Sequence, residues 1–116
     1  MKVLIVDDEP SVRESLQEFF ESEGFEVATA GDGREALDQL AGDELPAAVI
    51  LDLFMPVLNG NDVYEAMQKD ARLAKVPVVI ATSDPSRAPE GAVILKKPLV
   101  LDRLLEVVKL ATSRTA

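Results

Sequence analysis

Short apolar runs recur along this chain, each interrupted by acids, glycine or proline and most followed by a helical pattern. Lys2–Val6 (KVLIV) is a continuous run rich in β-branched residues, the pattern of a strand buried on both faces. Phe25–Thr29, Ala47–Leu51, Val76–Thr82 and Ala92–Leu95 read as four further strands, with Ala47–Leu51 the most hydrophobic and central. Between them apolar residues recur at helical spacing. Asp7-Asp8-Glu9-Pro10-Ser11 opens a helix, because proline suits a first turn and acids suit its positive end. Val12, Leu16, Phe19 and Phe20 share one face of it, and Gly24 closes it. Gly31-Asp32-Gly33 reads as a turn before a short helix, Glu35–Ala41, with Ala36, Leu37 and Leu40 inward. Asn61–Ala71 is a third helix with Val63, Ala66 and Met67 on its apolar face. Leu101, Leu104, Leu105 and Val108 place a last helix against the core, after which Thr112–Ala116 is expected to fray.

Strand and helix therefore alternate, which predicts a parallel sheet with helices on both faces. One crossover breaks the pattern. Only Ser83–Gly91 separates the fourth and fifth strands, and it holds Pro85 and Pro89. Length and proline both oppose a helix there, so an irregular loop or a single turn is expected. At 116 residues, with no repeat or linker, the chain reads as one domain over 1–116.

Composition narrows the chemistry. Cysteine and histidine are both absent, which excludes disulfides, thiolate metal sites and a Ser-His-Asp arrangement. The net charge of −9 disfavours direct contact with nucleic acid or an anionic membrane. No segment is long and apolar enough for a signal peptide or a membrane span, so a cytoplasmic location is expected. Neither a G-x-G-x-x-G turn after the first strand nor a Walker lysine loop is present, which argues against a nucleotide- or flavin-binding enzyme.

The polar residues that follow the apolar runs matter most. Asp7 and Asp8, Asp52, Thr82 and Lys97 all lie at carboxyl ends of expected strands, the edge where parallel α/β sheets bind ligands. Three carboxylates sharing a cleft raise one another's pKa unless a cation sits among them. A hard divalent ion such as Mg²⁺ suits oxygen donors of this kind. A carboxylate can also act as a nucleophile toward a phosphoryl group, and Asp52, on the central strand, is best placed for it. Lys97 and Thr82 could then contact phosphoryl oxygens. Each residue also has a plainer reading. Asp7-Asp8-Glu9 could be helix-start acids, Asp52 a turn former, Thr82 a strand end and Lys97 a solvated charge like Lys96.

Taken in order, Asp7-Asp8-Glu9, Asp52-Leu53-Phe54-Met55-Pro56 with Gly60, Ala81-Thr82 and Lys97-Pro98 resemble the receiver domain of two-component response regulators over essentially the whole chain. The resemblance implies a flavodoxin-like doubly wound sheet of five parallel strands in the order 2-1-3-4-5. It implies Asp52 as phosphoacceptor, Asp8 as a direct Mg²⁺ ligand, Asp7 as a ligand through water, and the Phe54 backbone carbonyl in the same shell. Thr82 would be the switch hydroxyl, and Lys97, before a cis Pro98, would bridge to the phosphoryl group. The donor would be a histidine kinase or phosphotransfer protein, and an output protein or domain outside these residues would read the result. The domain would catalyse only its own phosphotransfer and dephosphorylation.

Three features depart from the family pattern. The fourth helix is short or missing, so the family's usual output and dimer surface does not carry over. Ile94 stands three residues before Lys97, where the family commonly has an aromatic that moves with the threonine. The third is the bulky Phe54 two residues after Asp52, with Asp84 two residues after Thr82, at positions that in the family influence how water reaches the phosphoryl group. The altered crossover and Ile94 also motivate a rival reading, an interaction module that has abandoned phosphorylation. An unused cluster of like charges is costly, which argues against it.

Overall fold

The computed structural model describes residues 1–55 and 57–113. Pro56, expected to shape the loop after Asp52, and residues 114–116 of the expected frayed end lie outside the described residues. Five strands, β1 (Lys2–Val6), β2 (Glu26–Ala30), β3 (Ala48–Asp52), β4 (Val78–Thr82) and β5 (Val93–Lys96), form one parallel sheet in the order β2-β1-β3-β4-β5. Four α-helices are found among the described residues: α1 (Pro10–Ser22), α2 (Gly33–Leu40), α3 (Gly60–Lys69) and α4 (Leu101–Ser113). This is the flavodoxin-like doubly wound fold expected from the alternation and the resemblance.

Alternate strand residues serve two cores. Leu4, Val6, Val49, Leu51 and Ile80 pack under α2 and α3 with Ala36, Leu40, Val63 and Met67. Val3, Ile5, Ile50 and Val79 pack under α1 and α4 with Leu16, Phe20, Leu104 and Val108. Two-sided burial explains why β1, β3 and β4 read as continuous apolar runs rather than alternating ones.

Local chemistry sets the helix ends. Pro10 occupies the first turn of α1. Gly24, at φ +92°, ends the helix, with Phe25 N–H donating to Phe20 O (3.0 Å) and Gly24 N–H to Glu21 O (3.1 Å). These are the two bonds of a Schellman cap, and the Phe20 and Phe25 rings meet edge to face behind it, 5.5 Å apart. The side chain of Asp32 caps α2 by accepting from Glu35 N–H at 2.8 Å. Asn59 and Asp62 form a reciprocal capping box on α3.

Several boundaries correct the sequence reading. Gly33 is the first residue of α2, not part of a preceding turn, and the helix starts two residues earlier than expected. It is glycine because a Cβ there would lie 2.4 Å from Leu58 O. Asp52 is the last residue of β3 instead of following it. Leu101 is exposed, so α4 meets the core from Leu104 onward. Thr112 and Ser113 belong to α4, and Thr112 is buried with its hydroxyl donating to Val108 O at 2.9 Å.

The β4-to-β5 crossover has no α-helix. Pro85–Arg87 forms a single 3-10 turn, capped by Asp84 and tied to α3 by Asn61, whose amide donates to Arg87 O at 3.1 Å. Ala88 and Ala92 cover part of the core where a helix would otherwise lie. They cover less than a helix would, and Val93 and Ile94 of β5 remain exposed. No helix among the described residues is long and apolar enough to cross a membrane.

Candidate functional site at the carboxyl edge of the sheet

The strand order sets the site. β1, β3, β4 and β5 lie side by side, so the residues at their ends are neighbours although up to ninety positions separate them in sequence. Asp7 follows β1 and is held at several points. Its amide donates to Ala30 O (3.1 Å), and its Oδ1 accepts from Glu9 N–H (2.9 Å). Asp52 ends β3 and Thr82 ends β4; all three are buried. Asp8 is exposed.

Carboxylate oxygens of Asp7, Asp8 and Asp52 lie within 4.8 Å of one another. The Lys97 ammonium enters the same cluster, 3.3 Å from Asp52 Oδ1 and 3.5 Å from Asp7 Oδ2. Lys97 is positioned by its own backbone, whose N–H donates to Thr82 O at 2.8 Å just past the end of the β4–β5 ladder. The Lys97–Pro98 peptide is cis, as the resemblance implied. Lys96, read from the sequence as a solvated charge, pairs with Thr82 in the ladder and stays exposed.

The electrostatics follow from burial and crowding. Burial pushes the Asp52 carboxyl above its ordinary pKa; Lys97 opposes the shift, while Asp7 and Asp8 add to it. For Lys97, burial works against the charged form, but Asp52 and Asp7 outweigh it and hold the ammonium above its ordinary value. The pocket thus carries three acids and one cation, an excess of negative charge. Hard oxygen donors converging this closely fit Mg²⁺, which accepts one or two carboxylates and keeps several waters.

The Thr82 hydroxyl accepts from Asp84 N–H at 3.0 Å. A hydroxyl that accepts this bond still has its own proton to donate. Phe54 lies two residues after Asp52 with its side chain 44% exposed. Gly60 returns to this loop, donating its N–H to Leu53 O at 2.8 Å. A Cβ on Gly60 would sit 2.5 Å from the Asp52 carbonyl oxygen, so close approach explains the glycine.

One contact escaped the sequence reading. The Arg13 guanidinium donates to Asp7 O at 2.7 Å. The available signal was its place in the first turns of a helix that begins directly after the acidic pair.

Comparison with known proteins agrees with this architecture. The family described as "Response regulator receiver domain" matches residues 3–109. Response regulator MprA of Mycolicibacterium vanbaalenii is 35% identical over 99% of this chain and 52% of its own length. Response regulator Rre1 of Synechocystis sp. is 44% identical over 72% of this chain and 36% of its own. The chain thus spans about half or less of these two relatives. The signal receiver domain of a signal transduction histidine kinase from Syntrophus aciditrophicus superposes with a TM-score of 0.89 at 31% identity, covering 97% of this chain and 89% of that one. The receiver domain of Francisella response regulator 1452 gives 0.88 at 28% identity, covering 99% and 98%. Matched along almost its full length in both sequence and fold, the chain belongs to the response regulator receiver family and is a phospho-accepting domain whose acidic cluster suits Mg²⁺-dependent aspartate phosphorylation.

Proposed function

We propose that Asp52 is the phosphoacceptor and that residues 1–116 act as a single cytoplasmic receiver domain. Family membership implies partnership with histidine kinases or phosphotransfer proteins. In the proposed reaction an Asp52 carboxylate oxygen attacks the phosphorus of a partner's phosphohistidine. The O–P bond forms, the P–N bond breaks, and the imidazole leaves. Asp8 and Asp52, the Phe54 backbone carbonyl, and Asp7 through water would hold Mg²⁺. When bound, the ion supplies positive charge against the phosphoryl oxygens.

The observation that carries this reading is the position of Lys97, 3.3 Å from Asp52 Oδ1 inside the acidic cluster. An ammonium at that distance can follow a phosphoryl oxygen as it arrives on Asp52. Thr82, still able to donate its hydroxyl proton, would contact a second oxygen and pass the change to an output protein or domain.

The test is intact mass after incubation with Mg²⁺ and acetyl phosphate, for wild type and Asp52→Ala. A gain of one phosphoryl group that needs Mg²⁺ and is lost in the variant supports the assignment. A gain that persists in Asp52→Ala moves the acceptor elsewhere. No gain from acetyl phosphate or from a histidine kinase would leave a docking module.

A further inference from the structure

The oxygen that Arg13 holds belongs to the peptide unit joining Asp7 to Asp8. That unit sets the relative orientation of the two acidic residues. The bond is 2.7 Å long and partly buried. Arg13 is itself anchored, since its backbone N–H donates to Glu9 O in the first turn of α1. Its guanidinium lies across Gly31, where an added Cβ would come within 3.3 Å of Nη1. A glycine at that point in the β2–α2 loop leaves room for the guanidinium.

Asp7 has other restraints, through Ala30, Glu9 and Lys97. Among the described residues no hydrogen bond or ion pair holds the Asp8 carboxylate. Its placement therefore depends on the backbone that precedes it, and Arg13 ties that backbone down.

We infer that Arg13 is a positioning residue for Mg²⁺ binding, fixing the Asp7–Asp8 peptide so that the Asp8 carboxylate is presented to the ion. This rests on the proposed role of the acidic cluster in holding Mg²⁺. The direction in which Mg²⁺ affinity changes separates a positioning role for Arg13 from that of a nearby cation. If Arg13 were only a nearby cation, removing it would relieve repulsion and tighten Mg²⁺ binding. If it positions Asp8, removing it weakens binding, as loss of groups that orient metal ligands generally does.

The experiment is calorimetric Mg²⁺ titration of wild type, Arg13→Met, Arg13→Lys and Gly31→Ala, with Asp8→Ala as the metal-site control. Arg13→Met keeps an apolar stem and loses the donor; its Kd is expected to rise about tenfold. Arg13→Lys, which can still donate to Asp7 O, is expected to recover most of the affinity. Gly31→Ala places a Cβ 3.3 Å from Arg13 Nη1, so the guanidinium must shift by a few tenths of an ångström, and it is expected to weaken binding slightly without removing any charge. Unchanged or tighter binding in Arg13→Met, with the wild type binding normally and Asp8→Ala failing, overturns the role of Arg13 alone. Should Arg13→Met fail to fold, Arg13→Leu takes its place, and unchanged or tighter binding in that variant overturns the role equally. Wild-type protein that binds no Mg²⁺ overturns the metal reading and this inference with it.

Discussion

The Lys97 ammonium lies 3.3 Å from Asp52 Oδ1, and 3.5 Å from Asp7 Oδ2. One cation therefore serves two buried carboxylates, with a third, Asp8, close by. The pair does not neutralise the site. It leaves Asp52 under-compensated, and Asp52's pKa rises even with the lysine in contact.

That imbalance has a stability consequence. A carboxyl whose folded pKa is raised binds its proton more tightly in the folded state than in the unfolded one. Its contribution to metal-free stability is therefore lost as pH rises above the ordinary value of 3.8. Asp52→Asn removes the ionisation. In Mg²⁺-free buffer at neutral pH the variant is expected to be more stable by on the order of 1 kcal/mol, roughly 4 °C in Tm. The difference should shrink toward pH 4, as thermal melts across pH will show.

Mg²⁺ competes with protons for the same oxygens. Its stabilisation should grow with pH, because the ion needs ionised carboxylates. The Tm increase from saturating Mg²⁺ is expected to be larger at pH 7 than at pH 5. Asp52→Asn should lose much of that increase. Equal increases at both pH values would contradict a carboxylate site.

Phe54 lies two residues after Asp52 and is half exposed, and an aromatic ring that shields the acceptor from water would slow hydrolysis of the aspartyl phosphate. Phe54→Ala is expected to shorten the lifetime of the aspartyl phosphate several-fold, on the order of 1 kcal/mol in barrier. Phosphoryl loss followed by intact mass after removal of the donor measures it. A lifetime that does not shorten rejects shielding.

Gly60 packs too close to β3 for any side chain, since a Cβ would meet the Asp52 carbonyl oxygen at 2.5 Å and Leu53 Cα at 2.8 Å. Both obstacles are backbone and cannot rotate away. Gly60→Ala is expected to cost about 2–3 kcal/mol and to displace Asp52, lowering both the denaturant midpoint and phosphoryl uptake.

Val57 adopts φ +68° with its side chain 75% exposed. A β-branched residue pays for that conformation without gaining burial. Val57→Asn is expected to stabilise the domain by about 1 kcal/mol, seen as a higher midpoint in urea with an unchanged slope.

The comparison between sequence and structure divides along physical lines. Runs such as Lys2–Val6 and Ala47–Leu51 declare buried strands because both faces of a parallel sheet are covered, leaving no polar alternation to confuse the pattern. The short Ser83–Gly91 crossover, holding Pro85 and Pro89, opposes a helix before β5 by its length, by local sterics and by a missing donor, all properties of the local chain. The acids, the threonine and the lysine were also legible, because parallel strands bring their carboxyl ends to one edge whatever their separation in sequence.

Other features depended on distance partners. Gly33 resembles a turn residue until Leu58 is packed against it. Thr112 resembles a fraying end until α4 lies along the sheet and buries it. Leu101 resembles a core leucine, yet α4 reaches the core only from Leu104. The contact of Arg13 with Asp7 arises only when α1 folds back beside β1. The sequence by itself determined the order of elements, the broken crossover and the set of chemical groups, since these follow from local sterics, periodicity and strand polarity. Tertiary structure alone decided which glycines are steric necessities and which cation holds the Asp7–Asp8 peptide. Those depend on contacts between residues remote in the chain, and local pattern carries no record of them.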